Sequence, residues 1–324
     1  MRDNIGRGTG DGRREVTTPP SREPQRGEHP RPPSPVSRPQ LFVCHLGTLP
    51  YADALDLQRS VARARIAGTL ESDLLLLVEH PPVITLGRAS KDAHLVASTA
   101  QLEARGVERF EVDRGGDVTF HGPGQLVGYP IFDLKQHKQD LHWYLRQLEK
   151  AIIQGVAPFG VTGSSSPGYT GVWVNDRKLA SIGVHARDWV TWHGFALNVT
   201  TDLSWFDLIV PCGIAGVTMT SVAREIGERE VRSSDHSGDA APHHPSPTAR
   251  SSSVSDLPGL VRDAVVHGFE SVFALSAVPL PYETLKASLP APDADVEPAT
   301  GVPSPARSRS AEQPLVTAAC DGRL

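Results

Sequence analysis

The chain has 324 residues, of which 39% are hydrophobic and 21% are charged, and its formal net charge at pH 7 is −5. This balance argues against nucleic-acid binding, which depends on an excess or a stripe of basic residues. The sequence shows neither an apolar run of membrane-spanning length nor the apolar segment of a secretory signal, so we expect a cytoplasmic protein without a membrane partner. Three cysteines in unrelated surroundings do not form a disulfide framework.

Three stretches of the chain are rich in proline, serine and charged residues and poor in large apolar side chains. Such segments bury too little apolar surface to offset the entropy of ordering. Residues 1–39 and 289–324 are therefore predicted to be disordered tails, and residues 228–255 a low-complexity insertion. The sequence between residues 40 and 288 is long enough to bury a sizeable core as one domain.

Apolar periodicity predicts helices and strands along this domain. In chain order these are a strand over Leu41–Leu46, a helix over 51–67, strands over Leu74–Glu79 and Val83–Leu86, a helix from Ser98 to Arg105, the segment Glu108–Asp113, a strand over Leu126–Leu134, a helix from Asp140 to Ala157, strands over Gly171–Val174, Leu179–Ala186 and Val190–Val199, and a final helix from about Leu257. Because the elements do not alternate strictly as βαβ units, we predict an α+β fold of mixed sheets packed with helices.

A glycine-rich motif lies between two of the β-prone segments. It runs from Arg114 to Val127 and reads Arg-Gly-Gly-Asp-Val-Thr-Phe-His-Gly-Pro-Gly-Gln-Leu-Val. Glycine permits unusual backbone conformations and close approach, while Pro123 restrains φ at one point. A plain hairpin turn does not need this combination, so we interpret the motif as a loop that touches a ligand and presents His121.

The sequence Pro211-Cys212-Gly213 contains the first candidate for covalent chemistry. Proline before the cysteine restrains the backbone, and glycine after it leaves one flank of the thiol open, as a nucleophile requires. The residues alone leave an alternative open, because a lone cysteine often fills a core as a small hydrophobe. Cys44 has such a core setting, and Cys320 lies in the predicted C-terminal tail.

Lys178 is the second candidate, because the chain uses 26 arginines but only six lysines. An amine, unlike a guanidinium group, can give up its proton when it is desolvated, although a solvated lysine in a turn remains the alternative. His121 and His193 each precede a glycine and either line one pocket or belong to the core. No residue spacing suits a metal site, and no phosphate-binding loop or dinucleotide fingerprint is present, so we expect no metal and no cofactor.

Together, these segments resemble the octanoyltransferase (lipoyl(octanoyl) transferase) family of lipoate biosynthesis. The family pattern Arg-Gly-Gly-x-Val-Thr-Tyr/Phe-His-Gly-Pro-Gly-Gln matches residues 114–125 throughout. Further matching segments follow in the family's order: Gly171-Val172-Trp173-Val174, Lys178-Leu179-Ala180-Ser181-Ile182-Gly183, His193-Gly194-Phe195-Ala196-Leu197-Asn198 and Pro211-Cys212-Gly213. Several independent motifs in one order make the resemblance specific over roughly Leu41 to Arg224.

The resemblance implies a catalytic domain with the fold of biotin and lipoate protein ligases, and it implies roles for individual residues. Cys212 is expected to be the acyl-thioester nucleophile, and Lys178 the residue that lowers its pKa. The expected acyl-substrate pocket comprises Arg114, Gly115, Gly116, Asp117, Val118, Thr119, Phe120, His121, Ser181, Ile182, Gly183, Gly194, Phe195 and Ala196.

The resemblance also implies the reaction and the partners. The octanoyl group is expected to pass from octanoyl-acyl carrier protein to Cys212. From there it passes to a lysine of lipoyl domains of 2-oxoacid dehydrogenase complexes or of the glycine cleavage H protein, without ATP. Three alternatives remain at this stage: an ATP-dependent lipoate or octanoate ligase of the same fold, a non-catalytic binder of acyl chains or carrier proteins, and a cysteine thioesterase.

Overall fold

The computed structural model describes residues 38–235 and 256–290. The predicted tails lie outside these residues apart from two residues of each, and so do Cys320 and most of the predicted low-complexity segment. The described strands are β1 (Gln40–Thr48), β2 (Asp73–Glu79), β3 (Val83–Leu86), β4 (Glu108–Glu111), β5 (Val118–His121), β6 (Gln125–Ile131), β7 (Val172–Val174), β8 (Arg177–Arg187), β9 (Val190–Asn198), β10 (Thr218–Met219) and β11 (Ser276–Pro279). The described α-helices are α1 (Tyr51–Ile66), α2 (Thr99–Ala104), α3 (Leu141–Val156), α4 (Val222–Asp235), α5 (Leu257–Phe273) and α6 (Tyr282–Ser288).

The strands form two mixed sheets. The large sheet has the order β10-β8-β9-β6-β2-β1-β11, with β7 paired to β8, and the small sheet has the order β4-β3-β5. Parallel pairs occur at β1 with β2 and β11, whereas β2, β6, β9 and β8 follow one another in antiparallel pairs. Parallel and antiparallel pairing within one sheet confirms the predicted α+β class.

Helices α3 and α5 pack together against one face of the large sheet. Their contact is close because glycines stand where a side chain would collide: a Cβ on Gly155 would lie 2.7 Å from Cα of Val265, and one on Gly268 would lie 2.2 Å from the carbonyl oxygen of Ala151. The stripe of α3 that includes Tyr144, Leu148 and Ile152 is buried. Burial of such apolar surface is the main force that holds the helices on the sheet.

The opposite face of the large sheet is covered by α1 and α6. Leu57 and Val61 of α1 and Leu285 of α6 belong to one buried cluster with strands β2 and β6. The small sheet packs separately, against the turns of residues 203–209, through Phe120 and Phe206. Among the described residues, no helix is long and apolar enough to cross a membrane.

Two regions of the fold differ from the sequence prediction. The strand that leaves the glycine-rich motif ends at Ile131 rather than at Leu134, because a 3-10 turn over Leu134–Gln136 follows, where Asp133 accepts a hydrogen bond from the Lys135 N–H. Residues 228–235, predicted to belong to the low-complexity insertion, are the C-terminal part of helix α4. Arginine and glutamate favour helix, and an ion pair between Arg224 and Glu228 adds support along the helix.

Strands β5, β10 and β11 and helices α4 and α6 were not predicted. Strand β5 lies within the glycine-rich motif, which was interpreted as a loop. Strands β10 and β11 are two and four residues long and lie at sheet edges, where apolar alternation is too short to be detected. The backbone of β11 pairs in parallel with β1, from Gln40 to Val43. This pairing is a long-range contact, so no local pattern predicts it.

Candidate active site

Cys212 lies in a short 3-10 turn, Pro211–Gly213, and its backbone is in the left-handed region with φ of 56°. A residue with a side chain rarely adopts this conformation, and such strain is concentrated at functional positions. The side chain is largely buried, yet it reaches the wall of a pocket. The turn therefore holds the thiol in one orientation against that pocket.

Lys178 enters the site from β8 and is fully buried. Its Nζ donates a hydrogen bond to Sγ of Cys212 over 3.1 Å. Its Nζ also lies 5.2 Å from the ring centroid of Trp173, and the Thr220 N–H donates a 3.0 Å hydrogen bond to its carbonyl oxygen. An ammonium group in direct contact with sulfur stabilises the thiolate over the thiol. The two predicted catalytic residues, 34 positions apart, thus meet in one contact.

A pocket that opens to solvent lies beside Cys212. The large sheet supplies one wall and the glycine-rich motif another. Its lining residues are Tyr51, Arg114, Gly116, Asp117, Thr119, His121, Val127, Tyr129, Ser181, Ile182, Gly183, His193, Gly194, Phe195, Ala196 and Cys212.

Most residues predicted for the pocket line it, but three do not. Thr119 and His121 of β5 face the pocket, whereas Val118 and Phe120 face the core beneath the small sheet. The reason is that successive side chains of a strand point to opposite sides. Gly115 does not line the pocket; instead its N–H donates a hydrogen bond to the Val184 carbonyl and docks the motif against β8.

The segments Ser181-Ile182-Gly183 and Gly194-Phe195-Ala196 lie side by side on β8 and β9, and all six residues line the pocket. Gly183 is paired with Gly194. A Cβ on Gly183 would lie 2.7 Å from the Gly115 carbonyl oxygen, and one on Gly194 would lie 2.1 Å from that of Gly128. Glycine is therefore required at both positions for the backbone segments to pack this closely.

Arg114 is buried and holds the glycine-rich motif against β3. Its Nη2 donates hydrogen bonds of 2.9 Å to the carbonyl oxygen and to Oγ1 of Thr85, and its Nη1 donates to the Gly115 carbonyl. Its Nε has no hydrogen-bond partner among the described residues. The guanidinium group is thus satisfied mainly by backbone oxygens, which fixes the loop that carries the pocket residues.

A buried chain of amides determines the tautomer of His121. Asn198 Nδ2 donates a hydrogen bond to the Thr220 carbonyl, so Asn198 Oδ1 accepts one from Gln125 Nε2. Because Nε2 of Gln125 is the donor, its Oε1 accepts a hydrogen bond from Nδ1 of His121. The proton of His121 is therefore on Nδ1, and the Nε2 lone pair is available to the pocket. Burial, together with the nearby His80, lowers the pKa of His121 to about 3. The ring is neutral at physiological pH.

Tyr51, Val127 and Tyr129 line the pocket but were not predicted as site residues, whereas His193 was considered for the pocket. His94, which was not predicted either, contacts the pocket residue Asp117. Tyr51 begins α1, and its ring stacks on His121 with centroids 6.0 Å apart. His80 donates through Nδ1 to the Leu49 carbonyl, so the Tyr129 hydroxyl donates to its Nε2 over 2.7 Å. These residues come from separate elements. Only Val127 and Tyr129 lie on β6, at or just after the end of the motif, where alternation along the strand could suggest them.

A buried cysteine–lysine pair at a pocket, built on mixed sheets, is the class of site that supports covalent acyl transfer. Comparison with known proteins identifies the family, because the lipoyl protein ligase A/B catalytic domain matches residues 50–236. The octanoyltransferase of Rubrobacter xylanophilus is 54% identical over 187 residues, which cover 57% of this chain and 83% of that protein. The octanoyltransferase of Solibacter usitatus is 50% identical over 194 residues, covering 58% of this chain and 88% of that protein.

The octanoyltransferase of Myxococcus xanthus is 50% identical over 193 residues, but the chain spans only 54% of its length. Lipoate-protein ligase A bound with ATP shares the fold, with a TM-score of 0.55 at 12% identity over 78% of this chain and 92% of that one. A lipoate protein ligase from Thermoplasma acidophilum has a TM-score of 0.52 at 14% identity over 78% and 91% of the two chains. The chain therefore belongs to the lipoyl protein ligase A/B catalytic domain family and, within it, to the octanoyltransferases, which are acyltransferase enzymes.

Proposed function

We propose that this enzyme transfers an octanoyl group from octanoyl-acyl carrier protein to a lysine of lipoyl-bearing domains through a thioester on Cys212. The observation that carries the proposal is the 3.1 Å contact between Nζ of Lys178 and Sγ of Cys212 at the wall of the pocket. A nucleophile, the cation that activates it and a cavity beside both are the parts that covalent acyl transfer needs.

In the first half-reaction, the Cys212 thiolate attacks the carbonyl carbon of the donor thioester. The new carbon–sulfur bond forms as the bond to the pantetheine sulfur breaks, and Lys178 gives its proton to that leaving sulfur. Backbone N–H groups of the glycine-rich motif are the candidates for stabilising the oxyanion, because this motif borders Cys212 in the pocket. One thioester replaces another, so no ATP is consumed.

The acyl chain is proposed to lie in the pocket between the glycine-rich motif and the large sheet. Val127, Ile182 and Phe195 supply apolar walls to this space. Each methylene removed from water there contributes about 0.8 kcal/mol. The pocket thus binds the acyl group while Cys212 holds its carbonyl end.

In the second half-reaction, the ε-amine of the acceptor lysine attacks the carbonyl carbon of the Cys212 thioester. The carbon–sulfur bond breaks and the amide forms, which runs downhill from a thioester. Lys178, neutral after the first step, takes one proton from the attacking amine. The ammonium–thiolate pair is then restored for the next cycle.

The proposal is tested by incubating the enzyme with octanoyl-acyl carrier protein and no acceptor, and measuring its intact mass. The wild type should gain the mass of one octanoyl group, bound as a thioester. The Cys212→Ser variant should form no octanoyl thioester. Cys44→Ala is the matched control, because burial raises the pKa of the Cys44 thiol to about 11 and its side chain lies in the core. An octanoyl thioester that persists in Cys212→Ser would contradict the proposal.

An ATP-dependent ligase of the same fold is the principal alternative. Such an enzyme activates a free acid as an adenylate and gives no reason for a lysine to contact a cysteine in the pocket. Octanoylated acceptor should therefore form from the carrier thioester in the absence of ATP. A product that forms only with free octanoate and ATP would favour the ligase, and release of free octanoate would favour a thioesterase.

A further inference from the structure

A second titratable pair lies directly against the turn that carries Cys212. Nδ1 of His94 and Oδ2 of Asp117 are 2.6 Å apart. A Cβ placed on Gly213 would lie 2.4 Å from that same carboxylate oxygen and 3.0 Å from Cε1 of His94. Gly213 follows the nucleophile, and its missing side chain is what lets the pair approach the turn.

Backbone hydrogen bonds hold both His94 and Asp117 in place. The Val118 N–H donates a 2.7 Å hydrogen bond to Oδ1 of Asp117, and the Val210 N–H donates a 2.7 Å hydrogen bond to the His94 carbonyl. The glycine-rich motif thus positions the carboxylate, and the segment before Cys212 positions the histidine. A carboxylate accepts hydrogen bonds, so the proton of a neutral His94 is on Nδ1 and its lone pair is on Nε2.

The second half-reaction needs a base besides Lys178, because the acceptor amine must lose two protons. The acceptor lysine arrives as an ammonium, because a solution lysine has a pKa near 10.4. It must lose two protons to become an amide nitrogen, whereas Lys178 takes only one. Lys178 is also fully buried, whereas the His94 side chain is 21% exposed and can be reached from solvent.

We propose that His94, oriented by Asp117, is the base that takes the first proton from the incoming lysine ammonium. This inference rests on the proposed function. Nε2 accepts the proton, and the neutral amine then attacks the carbonyl carbon of the Cys212 thioester. The amide bond forms, the carbon–sulfur bond breaks with its electron pair going to sulfur, and the second amine proton passes to Lys178. His94 returns its proton to solvent.

The charged surroundings of His94 suit this role. Asp117 faces it from the glycine-rich motif, and Gly213, the residue after Cys212, lies against both side chains. On its own segment, Lys91 and Asp92 are its charged neighbours. The carboxylate of Asp117 binds Nδ1 and so orients the ring, as the acid of a catalytic triad orients its histidine.

The test separates acylation of Cys212 from transfer of the acyl group. The enzyme is first octanoylated by the carrier protein, and release from Cys212 is then followed with a lipoyl-domain acceptor or with hydroxylamine. Hydroxylamine is neutral at pH 7 and needs no base to become nucleophilic. The variants are His94→Gln and Asp117→Asn. The control is His267→Gln, because His267 forms an exposed pair with Glu270 on α5, 2.8 Å apart.

We expect the acylated His94→Gln enzyme to transfer its octanoyl group to the lipoyl domain about 100-fold more slowly than the acylated wild type at pH 7. Release by hydroxylamine should change less than about threefold, and the transfer defect should shrink as the pH approaches 10. Asp117→Asn should show a smaller defect of the same pattern, and it decides the outcome if His94→Gln is not acylated. His267→Gln should match the wild type.

Two results would overturn the proposal. One is transfer to lysine at the wild-type rate in both His94 and Asp117 variants. The other is an equal loss with lysine and hydroxylamine, which would show that the pair only supports the turn. Failure of the wild type to form the octanoyl thioester is a different result, because it would remove the proposed function itself.

Discussion

A Cβ placed on Gly171 would lie 2.9 Å from Cε of Lys178, so the backbone before β7 runs directly beside the carbon chain of the lysine. Gly171 has φ of 134°, and its N–H donates a 3.0 Å hydrogen bond to the buried carboxylate of Glu149. Arg146 binds that same carboxylate through Nη1. Helix α3 thus positions a glycine whose missing side chain leaves room for Lys178 to reach Cys212.

Gly171→Ala should damage both stability and acylation. The methyl group would meet Cε of Lys178 and, at 2.5 Å, the Ala180 carbonyl oxygen, in a backbone conformation that residues with side chains rarely adopt. We expect a loss of more than about 2 kcal/mol in the free energy of unfolding and at least a tenfold slower formation of the Cys212 thioester. Urea unfolding and intact-mass kinetics measure the two effects.

Gly168→Ala is the matched control for this substitution. Gly168 also has positive φ, at 79°, but no atom lies within 4 Å of its Cβ position. Its substitution should cost about 1 kcal/mol in backbone strain and leave the rate of thioester formation unchanged. Equal acylation rates in Gly171→Ala and Gly168→Ala would contradict the assigned role of Gly171.

Removing the charge of Lys178 should make Cys212 less reactive. In Lys178→Met the aliphatic bulk beside Trp173 is largely kept, but the ammonium that stabilises the thiolate is lost. We expect alkylation of Cys212 by iodoacetamide at pH 7 to slow at least about tenfold, as followed by mass spectrometry. Lys150→Met, which changes an exposed lysine of α3, should react like the wild type. An unchanged alkylation rate in Lys178→Met would show that the contact does not activate the thiol.

The sequence predicted those parts of the site that have a local signal. Glycines and a proline around His121 indicated a ligand loop, and the apolar stripe of α3 indicated a buried helix. The contact of Lys178 with Cys212 has no such signal, because a 34-residue separation does not specify a distance in space. Only the family resemblance joined the two residues before the structure was known.

The remaining differences have two physical causes. Side chains alternate along β5, so Val118 and Phe120 point away from the pocket. This alternation can be read from the sequence, but the prediction assigned every residue of 114–121 to the pocket. Tyr51 reaches the pocket because α1 packs beside it, and His94 reaches Asp117 because the segment before α2 packs against the glycine-rich motif. Their neighbours in sequence carry no trace of that packing.

Chain-length preference should be real but modest. Val127, Ile182 and Phe195 give the acyl chain apolar contacts, and a hexanoyl group loses two methylenes relative to octanoyl. At about 0.8 kcal/mol for each methylene, the loss is about 1.6 kcal/mol, or roughly fifteenfold in kcat/KM. Thioester formation with hexanoyl- and octanoyl-carrier protein measures the ratio. Equal rates with both donors would contradict an acyl chain buried in this pocket.

Acid should destabilise the fold through two buried neutral histidines. Burial lowers the pKa of His80 to about 4 and that of His121 to about 3, whereas an unfolded histidine has a pKa near 6.5. Below pH 6.5 the unfolded chain therefore binds protons that the folded chain does not. Stability is lost as the pH falls from about 6.5 towards the folded pKa values, by up to about 1.4 kcal/mol per pH unit for each histidine.

Substitution of either histidine should remove its share of this pH dependence. Between pH 7 and pH 5, the free energy of unfolding of the wild type should fall by about 2 kcal/mol for each of the two residues. In His121→Gln the fall should be about 2 kcal/mol smaller, even if the variant is less stable overall. His142→Gln, on the exposed side of α3, is the control and should keep the wild-type dependence. Urea unfolding at the two pH values measures the difference, and parallel curves for His121→Gln and the wild type would show that His121 is not neutral in the folded enzyme.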